Sequence, residues 1–136
     1  MKRLITPVLS FVLLITTAQS FAQPSTELVF KNPVLVTAPG TDKLVGATYR
    51  FYNVSDGTDA LLTIADASET GPLVNNIDLT AFGWDKAFQP EIGKGGNVPA
   101  NQEWWVRFNL QFVHANSVTK KKLDKFYATA IDVDGD

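Results

Sequence analysis

Residues 103–115 read EWWVRFNLQFVHA. Trp104, Val106, Phe108, Leu110 and Phe112 alternate with Trp105, Arg107, Asn109, Gln111 and Val113. Successive side chains of a strand point to opposite faces of a sheet, so a period of two sorts this stretch into an apolar row and a mixed one. A helix brings side chains back every 3.6 residues and keeps neither row on one face. The stretch is therefore a strand. Its first row is the expected core stripe and its second the outward face. The adjacent tryptophans cannot both enter the core, so Trp105 heads the outward row.

The same period recurs on either side. VGATYRFYNV, residues 45–54, alternates so that Ala47, Tyr49, Phe51 and Asn53 share one face, and Thr48, Arg50, Tyr52 and Val54 the other. SDGTD follows, an Asp-Gly pair between apolar runs, which is a hairpin signal. ALLTIAD is its return strand, ASETGP turns again, and LVNNIDL is a weaker strand. Upstream, Pro33 interrupts STELVFKNPVLVT. A proline donates nothing to a ladder, so this segment is expected to be a sheet edge or a strand that changes partner. Residues 80–101, TAFGWDKAFQPEIGKGGNVPAN, are rich in glycine and proline and read as a long loop carrying a short strand near Phe88 to Ile92. NSVTKKKLDK is a polar connection, and FYATAIDVD is the last expected strand. Many short strands with frequent turns predict an all-β fold, an antiparallel β-sandwich of the jelly-roll or immunoglobulin-like kind.

The chain's start is of another character. Met1-Lys2-Arg3 is a positive n-region, Leu4 to Thr17 is mostly apolar, and Ser20-Phe21-Ala22 places small residues around a cut before Gln23. Residues 1–22 read as a secretory signal peptide, and residues 23–136 as one exported domain at the cell surface or outside the cell. The apolar run is short and broken for a membrane span, so none is expected after cleavage. There is no cysteine, which excludes disulfides, thiolate metal sites and a cysteine nucleophile. The chain carries 12 basic and 14 acidic residues. Loss of Lys2 and Arg3 leaves the domain at about −4, the wrong sign for a nucleic-acid surface.

Candidate chemistry is sparse. His114 is the chain's one histidine, too few for a histidine metal site, and no G-x-S-x-G accompanies it. Acids such as Asp56, Asp59, Asp78, Asp85, Glu91 and Glu103 fall mostly in turns, where Asp bonds its own backbone, and no spacing nominates a glycosidase pair. An enzyme is not expected, although a fragment of a secreted hydrolase is a third reading. The better candidate is the outward row of the long strand. Trp105 offers a flat ring, and Arg107 and Asn109 offer donors and acceptors suited to hydroxyls. Trp84, in the loop, is a further candidate contact. Together they outline a carbohydrate-binding face; the alternative is that Trp105 lies under the long segment with Trp84 and covers a sheet edge, Trp84 plugging the end of the sandwich.

The chain closes on IDVDGD. Calcium takes six to eight oxygens, largely carboxylates and carbonyls, and Asp132, Asp134 and Asp136 with Gly135 between the last two would begin such a loop. Asp56 and Asp59 are a second possible source of ligands. The alternative is a solvated acidic end.

The runs VGATYRFYNVSDGTDALLTI, FQPEI, WVRFNLQFV and FYATAIDVDGD resemble a β-sandwich module of large secreted and cell-surface bacterial proteins, of the type YRFxNVxxGxDAxxTI … TAIDxDG. The resemblance covers most of the exported part, from about Phe30. It implies a non-enzymatic β-sandwich near the N-terminus of modular proteins that display adhesive, carbohydrate-active or anchoring domains. The expected role is surface display or adhesion, with or without a stabilising calcium, toward a glycan or cell-surface component. It also implies that a longer parent chain continues past IDxDG, so that residues 23–136 are a module truncated at its C-terminus.

Overall fold

The computed structural model describes residues 26–38, 41–69, 71–80, 86–95 and 103–127. The expected signal peptide at 1–22, Trp84 and the acids of 132–136 lie outside the described residues. Those described form an all-β, antiparallel, sandwich-like domain. No helix among them is long and apolar enough to cross a membrane.

Among the described residues six strands follow in chain order: β1 (Val34–Leu35), β2 (Thr48–Ser55), β3 (Thr58–Ala67), β4 (Gly71–Asn76), β5 (Glu91–Gly95) and β6 (Val106–His114). One sheet has the order β1-β2-β3-β6, and β4 pairs with β5 in a separate ribbon. Ser55 pairs with Thr58 across the Asp56-Gly57 turn, as the hairpin signal requires, and Gly57 takes a positive φ of 56° there. β1 is two residues long and follows Pro33, so this edge is short and proline-blunted. The short strand expected near Phe88 forms later, at Glu91–Gly95, and β4 begins at Gly71-Pro72, where a turn was expected.

The two layers meet in one apolar cluster. Ala47, Tyr49 and Phe51 of the β2 face, with Ala60, Leu62 and Ile64 of β3, bury against Val74, Ile77 and Phe30. Phe88 lies between the layers, edge-on to Phe51 at 6.1 Å and to Phe108 at 5.6 Å between centroids. Edge-to-face rings of this kind add to their area burial.

Two expected alternations fail locally. In β2 it is Val54 that is buried and Asn53 that is exposed. Phe51 pairs with Ala60 and Ser55 with Thr58, so the three residues Tyr52 to Val54 stand opposite Asp59 alone. This bulge absorbs the extra residues by placing Asn53 at φ 52°, a left-handed conformation that Asn tolerates better than most, and so swaps the faces beyond it. In β6 Leu110, assigned to the core row, is 42% exposed, while its row neighbours Val106, Phe108 and Phe112 pack against the core cluster. Val113, on the mixed row, is fully buried instead. It pairs with Asp59 on one side and Lys120 on the other, so the returning chain covers it.

That return is fastened to the hairpin. The three ammonium donors of Lys121 reach the carbonyls of Asp56 and Gly57 at 3.0 and 3.1 Å and the Thr58 hydroxyl at 2.7 Å. Thr26 and Phe126 then form a parallel bridge beside it.

Candidate functional site

Trp105, Arg107 and Asn109 lie on one face of the strand, and all three are exposed. The backbone of Trp105 is held by Ser68, whose N–H donates to its carbonyl at 3.0 Å and whose hydroxyl accepts its N–H at 3.1 Å. The residue stays 41% exposed. The Arg107 guanidinium lies 5.3 Å from the ring centroid, a cation–π stack that fixes the two side chains relative to each other. Its other neighbour is Asp66 across the strand pair, at 3.9 Å. Both members of that pair are more than half exposed, so water screens it and it adds little to stability.

The next rung is polar as well. Asn109 pairs with Thr63, and the Thr63 hydroxyl shares a 2.8 Å hydrogen bond with that of Thr48 on β2. A ring, a guanidinium, an amide and two hydroxyls therefore follow one another on the outer face of the sheet. Chemically this is a shallow, rigid surface offering one apolar plane and several donors and acceptors.

Beyond it, the outer face closes over. Arg50 donates to Asp59 at 2.9 Å, and Asp59 also accepts the backbone N–H of Asn53 at 2.9 Å and of Asn116 at 2.8 Å. Burial would raise the Asp59 carboxyl, but the Asn53 and Asn116 amides, followed by Arg50, outweigh it and hold the group below the usual carboxylate range. With both oxygens engaged inside the fold, Asp59 is a structural carboxylate and not a turn acid open to calcium. Sequence reasoning missed this pair because Asp59 follows a turn motif and looks like part of it.

A second concavity lies elsewhere. A cleft of about 500 Å³ is lined by Asn32, Asp42, Lys43, Tyr49 and Asp78 among others, none of them on the candidate face. Its polar groups bond mainly to one another. The Tyr49 hydroxyl donates to Asp42 at 2.7 Å and accepts the Lys43 N–H, and burial, then Asp42, pushes its pKa up to about 12. Asp78 accepts from the Thr80 hydroxyl and the Gln89 N–H.

Trp84 and the aspartates at 132, 134 and 136 lie outside the described residues. Among the described residues no group of three or more His, Asp or Glu side chains could hold a metal ion. His114 is exposed at the end of β6, where its N–H donates to Thr119. Compared with known proteins, the chain matches no family model, no curated protein and no solved structure.

Proposed function

We propose that this chain is a non-catalytic, exported β-sandwich module for surface display or adhesion, and that it contacts a glycan through the outer face of β6. The observation that carries the reading is the exposed Trp105, held by Ser68 and stacked with Arg107. An aromatic plane on a rigid sheet can lie against the C–H face of a sugar ring, while Arg107 and Asn109 bond its hydroxyls. A rigid sheet loses little entropy on binding, so a shallow face suffices for weak, repeated contacts. The acids at 132–136 extend the proposal, with calcium as a stabilising ion.

Binding to a panel of immobilised glycans tests it. Trp105→Ala is expected to lower affinity for any glycan bound by about tenfold or more, equivalent to ~1.4 kcal/mol. Its unfolding midpoint should change little, because the ring is largely outside the core. Unchanged binding by Trp105→Ala, or no binding to any glycan by the wild type, removes the reading.

A further inference from the structure

The two edges of the main sheet are unlike. One is the two-residue β1 behind Pro33, and the other is the nine-residue β6. The backbone groups of β6 can be assigned to sides. Ser68 donates to the Trp105 carbonyl, so the odd-numbered residues bond towards β3. The Phe112 carbonyl accepts from Lys121 and the His114 N–H donates to Thr119, so the even-numbered residues bond outward. Residues 119–121 thus cover only the end of the strand. Alternation turns the N–H and C=O groups of Val106, Phe108 and Leu110 to the outside, and among the described residues no segment pairs with them. Natural edges are usually guarded by lysine, proline, inward charges or bulges. From Trp104 to Phe112 the one charged residue is Arg107, there is no proline, and no bulge falls on β6 itself. Leu110 stands 42% exposed beside this edge.

We propose that the bare edge of β6 pairs antiparallel with β6 of a second copy of this chain, about a two-fold axis at Phe108. The register follows from the residues. With the axis at Phe108, Phe108 faces its counterpart and Val106 of each copy faces Leu110 of the other. All the outward groups are then used, in about six backbone hydrogen bonds. Leu110 gains an apolar neighbour, Arg107 faces neutral Asn109, and Trp105 faces Gln111. Moving the axis to residue 107 sets Arg107 against Arg107, and like charges directly opposite are unfavourable. Moving it to residue 109 sets Val106 against Phe112, whose outward carbonyl already accepts from Lys121. The self-complementary stretch therefore selects one register, and a two-fold dimer is the commonest way for a chain to close on itself. The result is a continuous eight-stranded sheet carrying both Trp105–Arg107–Asn109 rows on the same outer face.

The inference stands on the edge alone and does not rest on the glycan reading, so its test contains no sugar. Sedimentation of the chain, as an exporting host releases it, is measured from micromolar to millimolar concentration. The expected result is a concentration-dependent shift from monomer to dimer mass. Asn109→Arg, which opposes two cations to Arg107 in the paired state, should weaken association about tenfold, and Asn109→Glu should strengthen it by a similar factor. Opposite responses at one exposed position separate pairing from a folding defect. Hydrogen exchange follows the Val106, Phe108 and Leu110 amides, which should become protected as dimer forms. A monomer throughout the range overturns the proposal. In that case fast exchange means an edge left bare, and slow exchange an edge taken by another part of the same chain. A dimer indifferent to both Asn109 variants also overturns it, since it must use another surface.

Discussion

Asp59 is 1% exposed and still charged, held by three donors at 2.8 to 2.9 Å. Two of those donors are backbone amides of Asn53 and Asn116, both at positive φ, 52° and 56°. The carboxylate therefore ties a bulge in β2 to the turn after β6, and Arg50 neutralises it. Taking two charges out of water is costly, so such a pair adds less than its geometry suggests, but removing one partner strands the other. Asp59→Asn should destabilise the fold by about 3–5 kcal/mol in denaturant titration, because Arg50 is left buried without a counter-charge. The pH dependence has a definite sign. The folded carboxyl lies below its ordinary value of 3.8, so its contribution is complete above that value and is lost as pH falls through the folded one. Wild-type stability should fall in that acid window, and the Asn variant should fall less steeply.

At the scale of the element, the β2–β3 hairpin shows what alternation reveals and what it hides. The Asp56-Gly57 turn, the common face of Tyr49 and Phe51, and Pro33 at an edge all follow from local chemistry and were legible in the sequence; which face is the core was not. The bulge was not, because its cause lies outside β2: the Asp59 carboxylate binds the Asn53 amide, and Val29 donates to the Val54 carbonyl at 2.8 Å. For the same reason Val113 and Leu110 exchange their expected burial, since coverage is decided by segments outside β6 such as the 119–121 return. The candidate face was legible to the extent that it lies on one regular strand. Trp105, Arg107 and Asn109 share it by period two, whereas no periodicity could join them to a loop residue such as Trp84. The bulge also makes a prediction. An L-residue with a Cβ and no local hydrogen-bonding side chain is strained in the left-handed region, while glycine is not. Asn53→Ala should therefore be about 1 kcal/mol less stable than Asn53→Gly, reversing the order expected in a regular strand. Thermal unfolding of the two variants measures the difference.

For the whole molecule, the question is how two layers of such different size hold together. A two-stranded ribbon is marginal by itself in water, so β4–β5 must draw its stability from the main sheet. The described contacts are apolar: Val74, Ile77 and Ile92 from the ribbon and its flanks, with Phe88 set between Phe30, Phe51 and Phe108. The main sheet has a separate source of support in the β2–β3–β6 ladder, the Arg50–Asp59 pair and the Lys121 clamp. Stability should then be unequally divided, with the ribbon opening at lower free energy than the sheet. Phe88 is the side chain whose loss separates them, because it enters from the chain just before β5, packs edge-on to Phe51 and Phe108 of the main sheet and belongs to neither ladder. Phe88→Ala is expected to cost about 3 kcal/mol and to act mainly on one layer. Native-state hydrogen exchange should show Val74 and Ile92 losing protection in this variant, while Leu62 and Val113 stay close to wild type. Equal loss across both layers would instead mean that the sandwich opens as one cooperative unit, with the ribbon as integral to it as β3.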